Sequence, residues 1–115
     1  MNKIELVLEM EKIGFKFDSQ MALDYMGLDA QSLEFKNDDY DVINVLYSID
    51  YGIVFEFIIN DGSSYGKTYA IKEAVEKLKL KHYTIFNEYN PSTNEALGNS
   101  IISEKEILSL IKNKY

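Results

Sequence analysis

The chain has 115 residues, 46 % of them hydrophobic and 27 % charged, which supports one compact core over residues 1–115 and excludes the polar regime that keeps chains unfolded. The absence of cysteine excludes a disulfide framework, a thiolate metal site and a thiol nucleophile. The net charge of −7 is unevenly placed: residues 1–61 carry 13 acidic residues against four lysines and residues 62–115 carry six against eight, so the first part stands at −9 and the second at +2.

Residues 3–13 are predicted as a first helix. Ile4, Val7 and Leu8, with Leu6, Met10 and Ile13 shifted by one, make a broad apolar stripe, and Gly14 supplies a left-handed stop. Phe15 and Phe17 alternate with Lys16 and Asp18, after which Asp18 or Ser19 is placed to cap a short helix over 20–26 that Gly27 closes. Residues 28–41 are polar and acidic and read as a loop with a short extended piece at 33–36.

The clearest strand signal lies at 43–59. Ile43, Val45, Tyr47 and Ile49 alternate with Asn44, Leu46 and Ser48, and after Asp50-Tyr51-Gly52 Ile53, Phe55, Phe57 and Ile59 alternate with Val54, Glu56 and Ile58. A three-residue loop pairs Ile49 with Ile53, Tyr47 with Phe55, Val45 with Phe57 and Ile43 with Ile59, and puts Gly52 where that loop needs a left-handed residue. The second face of this hairpin mixes Leu46, Val54 and Ile58 with Asn44, Ser48 and Glu56, so it is either covered or used for contact.

Asp61-Gly62 is a favoured tight-turn dipeptide, and a two-residue loop there sets Glu56 against Lys67 and Gly66 against Phe57 on a third strand at 64–69. Ile71, Ala74, Val75 and Leu78 then follow helical spacing over 70–81, with Glu73 and Lys77 paired on the other side. A fourth strand is expected at 83–89 and a loop at 90–100. Ser103 followed by Glu106 is a capping box for a last helix whose Ile107, Leu110 and Ile111 face inward, with Ile102 ahead of the cap as a staple and Lys112 and Lys114 at the cation-favouring end. The fold class expected is therefore α+β: an antiparallel meander of three to four strands with helices packed mainly on one face.

The chain's chemistry-like motifs are incomplete. Gly62 to Thr68 falls one residue short of a phosphate-binding loop, although it lies between a predicted strand and a predicted helix. Asn37, Asp39 and Asp41 imitate the start of a calcium loop, but Val42 stands where glycine is needed and Ser48 where a bidentate carboxylate is needed. His82 is the single histidine, which excludes a multi-histidine metal site, and no nucleophile elbow accompanies it. No catalytic residue, cofactor or metal is expected, and the chain does not read as an enzyme.

Charge is the remaining lead. All twelve basic residues are lysine, so bidentate guanidinium contacts to phosphate are excluded, and an acidic chain is unsuited to direct binding of nucleic acid or an anionic membrane. An acidic face suits a basic protein partner. The expected partner-binding residues are Asp29, Glu34, Asp38, Asp39, Tyr40, Asp41, Asp50 and Tyr51, taken as one continuous surface in which Tyr40, set between carboxylates, serves as a rigid anchor. The function expected is a small inhibitor of bacterial or phage origin: an immunity protein that neutralises a toxin, such as a nuclease, by occluding its basic active site. A phage-encoded anti-defence protein that mimics DNA charge against a CRISPR or restriction enzyme needs the same surface, and a small ligand- or nucleotide-binding domain built on the Gly62 to Thr68 loop is the rival from another class. No membrane-length apolar run and no uncharged leader core occur, so a cytoplasmic place is expected.

Overall fold

The computed structural model describes residues 1–25, 28–60, 67–78 and 101–115. In chain order the elements are α1 (Lys3–Ile13), β1 (Lys16–Tyr25), β2 (Leu28–Lys36), β3 (Val42–Ser48), β4 (Ile53–Asn60), β5 (Lys67–Ile71), α2 (residues 72–78), β6 (Ile101–Ile102) and α3 (Glu104–Lys114). This is a mixed α+β fold. Its strands form one six-stranded sheet in the order β1-β2-β3-β4-β5-β6, antiparallel except for the parallel pair β5 and β6.

α1 ends as its sequence directs. Gly14 takes a φ of 99°, its N–H donates to the Glu11 carbonyl, and the Phe15 N–H donates to the Met10 carbonyl, so carbonyls left over at the helix end are satisfied. Asn2 caps the other end by accepting from the Glu5 N–H at 2.9 Å.

Residues 20–25 of the helix expected over 20–26 are instead part of strand β1, paired over its length with β2, and the loop expected over 28–41 is largely β2. Two physical features conceal them. β1 is exposed on both faces over residues 16–22, so it has no apolar alternation, and its Gln-Met-Ala-Leu run favours a helix until strand pairing overrides it. In β2 the buried residues change face halfway: Leu28 and Ala30 lie on one side, Leu33 and Phe35 on the other.

The β3–β4 register holds away from the turn, with Val45 opposite Phe57 and Ile43 opposite Ile59. Near the turn it shifts. A bulge at Phe55 pairs Tyr47 with Val54 and Ser48 with Ile53, which moves Val54 off the mixed face and leaves residues 49–52 as the loop. Gly52 is left-handed as expected, at φ 60°. The mixed face is covered: Leu46, Ser48 and Glu56 are buried, so polar groups share the interior there.

The β4–β5 register expected from a two-residue turn is wrong by three residues. Glu56 faces Ala70 and Phe57 faces Tyr69, a register that sets two aromatic residues opposite each other in place of Phe57 and a glycine. That turn, the expected strand at 83–89 and the loop at 90–100 lie outside the described residues.

All three helices supply buried side chains to one continuous core with the sheet: Leu6 and Met10 from α1, Ala74 and Leu78 from α2, Ile107 and Ile111 from α3. The last helix starts at the predicted box, with Ser103 Oγ accepting from the Glu106 N–H at 3.0 Å and the Glu106 carboxylate accepting from the Ser103 N–H at 3.4 Å. Glu73 of α2 adds to it by accepting from the Glu104 N–H at 3.0 Å, a carboxylate at the positive end of α3.

Candidate protein-binding surface

The turn between β2 and β3 is organised by one side chain. Asn37 Oδ1 accepts from the backbone N–H groups of Asp39 (3.0 Å) and Asp41 (2.8 Å), and Asn37 Nδ2 donates to the Asp41 carboxylate at 3.2 Å. The Tyr40 N–H donates to the Asn37 carbonyl at 3.2 Å, and Tyr40 then takes a φ of 63°. An aromatic residue in the left-handed region is strained by contact between its Cβ and backbone. The residue is 85 % exposed and is flanked in the chain by Asp38, Asp39 and Asp41.

Beside this turn, Val7, Glu11 and Gly14 of the first helical segment and Lys16 and Phe17 of β1 line an open groove of about 730 Å³ that Asp38 closes. Its lining is apolar at Val7 and Phe17, acidic at Glu11 and Asp38 and basic at Lys16. With two carboxylates against one lysine the groove is net acidic beside an apolar wall.

The remaining expected residues lie elsewhere. Asp29 and Asp50 are exposed at the opposite end of the β2–β3 hairpin, where the Ile49 N–H donates to the Asp29 carbonyl at 3.1 Å. Seven strand residues lie between Asp29 and Asn37, eight steps that span roughly 26 Å at the usual rise. Tyr51 belongs to that far end and is half-buried against the core, its N–H donating to Ser48 Oγ at 3.2 Å. It packs more than it projects. Glu34 lies mid-strand, where Lys36 Nζ stands 3.3 Å from it and 3.3 Å from Asp18 on β1. The hydrogen bond to Asp18 first, and that to Glu34 next, raise the Lys36 pKa above its ordinary value.

The structure thus brings together Asp38, Asp39, Tyr40 and Asp41, adds Glu11 by way of the groove, and separates Asp29, Asp50 and Tyr51 from them. One continuous surface through all the expected residues does not form. Asn37 was legible in the sequence as a turn-forming residue four positions before Asp41, whereas Glu11 carried no signal, since only the fold brings α1 beside β1.

Among the described residues no group of acidic or histidine side chains is arranged to hold a metal ion. Lys67 and Thr68, the end of the phosphate-loop-like segment, are paired in β5 with Ile59 and Ile58, which removes them from any loop leading into a helix. No described helix is long and apolar enough to cross a membrane. Comparison of the chain with protein families, with characterised proteins and with solved structures gives no match.

Proposed function

We propose that this protein is a small acidic inhibitor that binds a basic protein, and that it acts as an immunity protein occluding the cationic active site of a toxin in the bacterial cytoplasm. The observation that carries the reading is Tyr40, an exposed residue on strained backbone flanked in the chain by three aspartates. Strain at an exposed aromatic residue costs stability and returns nothing to the core, and such strain collects at functional sites. Carboxylates around a rigid aromatic anchor steer a cationic surface into contact and then hold it. The groove beside the turn, with Glu11 and Asp38 against Lys16, extends the acidic character of that contact. An anti-defence protein aimed at a nucleic-acid-processing enzyme would use the same turn, and the two differ only in the partner.

The test is association kinetics with a partner captured from the host, measured by surface plasmon resonance at low and high salt. Replacing Asp38, Asp39 and Asp41 together with lysine turns steering into repulsion, so the variant should associate at least tenfold more slowly at low salt, while the wild-type rate falls as salt is raised. The captured partner should also lose its enzymatic activity when bound. Equal on-rates for the two proteins at low salt would remove this turn from recognition.

A further inference from the structure

We propose that two copies of this chain associate about a twofold axis parallel to α1, each laying its α3 over the acidic groove between α1 and the β2–β3 turn of the other. The dimer goes beyond the inhibitor reading and does not rest on it. Its two contact surfaces flank one helix. On one flank of α1 lies the groove of about 730 Å³, where Glu11 and Asp38 outnumber Lys16. On the other flank, α1 and α3 share a cleft of about 280 Å³ over Ile13 and Leu108, in which Lys12, Lys105 and Lys112 stand against Glu9 among the described residues. Lys12 is engaged by Glu9 at 3.0 Å, whereas Lys105 and Lys112, like Asp38 and Asp39, have no ion-pair partner among the described residues. One molecule thus presents a net-acidic and a net-basic patch side by side.

The occupant follows from the rotation that sets unlike charges together. Both patches lie at one height along α1: Asp38 shares its groove with Glu11 and Gly14, and Lys112 is in the last turn of α3, three residues before Tyr115, whose ring meets Phe15. A twofold axis parallel to α1 exchanges the flanks and keeps the height, so Lys112 of each copy comes onto Asp38 and Asp39 of the other. A twofold axis in the contact plane but perpendicular to α1 sets turn on turn, three carboxylates against three. The match continues along α1 itself, because Glu11 lies on its turn flank and Lys12 on its α3 flank, and each Glu11 therefore meets Lys12 of the second copy. On the crest between the flanks, Ile4 (73 % exposed) and Leu8 (52 % exposed) lie one helical turn apart, and the axis brings each against its own counterpart. Each copy carries −7, so the contact depends on where the charges lie, not on their sum. The turn is also the one proposed to meet a basic partner, so that partner and the second copy exclude one another.

Sedimentation equilibrium of the full chain at several hundred micromolar should give twice 13.3 kDa. Asp38→Lys with Asp39→Lys sets like charge on like in its own homodimer, and so does Lys105→Glu with Lys112→Glu. All four positions are exposed, so each double variant alone should give the single-chain mass with an unchanged circular dichroism spectrum. Mixed in equal amounts, the two variants regain unlike charges at both contacts and should sediment as a dimer. Helix direction has its own test, since the chain has no cysteine and only a parallel pair faces both crest positions with their counterparts: Ile4→Cys and Leu8→Cys should each oxidise to a covalent dimer at least tenfold faster than Asp50→Cys, at the far end of the β2–β3 hairpin. A wild type of single-chain mass, a dimer undiminished in either charge variant or a mixture that stays at the single-chain mass would overturn the proposal, as would oxidation no faster at Ile4 and Leu8 than at Asp50.

Discussion

The ring of Phe15 meets that of Tyr115 edge to face, with centroids 4.9 Å apart and planes at 82°. This contact joins the segment just after α1 to the end of α3. At their other ends the Met1 amine lies 3.1 Å from the Glu104 carboxylate, so the two helices run side by side in the same direction, fastened at both ends. Phe15 is fully buried and Tyr115 is 37 % exposed, which makes the pair a seal at the margin of the core. Phe15→Ala should cost about 3–5 kcal/mol by leaving a cavity. A cycle combining Phe15→Leu with Tyr115→Ala should show a coupling of about 1 kcal/mol in urea denaturation, and a coupling near zero would mean that the ring geometry adds nothing to burial.

The start of α3 has two independent caps, Ser103 within the box and Glu73 from α2. Ser103→Ala should lower stability by about 1 kcal/mol and Glu73→Ala by about 0.5 kcal/mol, the second falling as salt is added because it depends on charge near a helix end. Urea midpoints unchanged in both variants would mean that the described hydrogen bonds are exchanged for water without loss.

What could be read in advance follows from the range of the forces involved. The capping box and the Gly14 stop depend on residues a few positions apart, and the far half of the β3–β4 register on unbroken alternation either side of one short turn; each is found where the sequence places it. β1 and the change of face within β2 depend on partners up to about twenty residues away and on which face is covered. Neither leaves a period in the sequence. The binding surface was half legible for the same reason: Asp38 to Asp41 are neighbours in the chain, but only strand pairing reveals that Asp29 and Asp50 sit at the opposite end.

Tyr40 separates stability from binding. Tyr40→Gly relieves the left-handed strain, about 1–2 kcal/mol, and adds unfolded-state freedom of about 0.4–1 kcal/mol, so the variant should be more stable by about 0.5–1 kcal/mol. Asn37→Ala should move stability in the opposite direction by about 1 kcal/mol, because two backbone donors lose their acceptor. Thermal melts of the two variants check the signs. If Tyr40→Gly is less stable than wild type, the ring makes contacts that outweigh its strain.

Lys36 offers a test by pH. Its position between Asp18 and Glu34 raises its pKa in the folded state, so the folded chain holds this proton more tightly than the unfolded chain does. The sign follows from linkage: the stabilisation is fully present below the unfolded lysine value, near about 10.4, and fades as pH rises through the higher folded value. Lys36→Met removes the titrating group and both ion pairs. The free-energy difference between wild type and variant should therefore be constant from pH 7 to 9 and narrow above about pH 10.5, while tyrosine and other lysine titrations act on both proteins alike. Salt should narrow the same difference at pH 8, since all three side chains are partly exposed and screened. Urea denaturation of both proteins at pH 8 and pH 11 is the measurement, and a difference that stays constant across that interval would show that Lys36 does not link β1 to β2 through its charge.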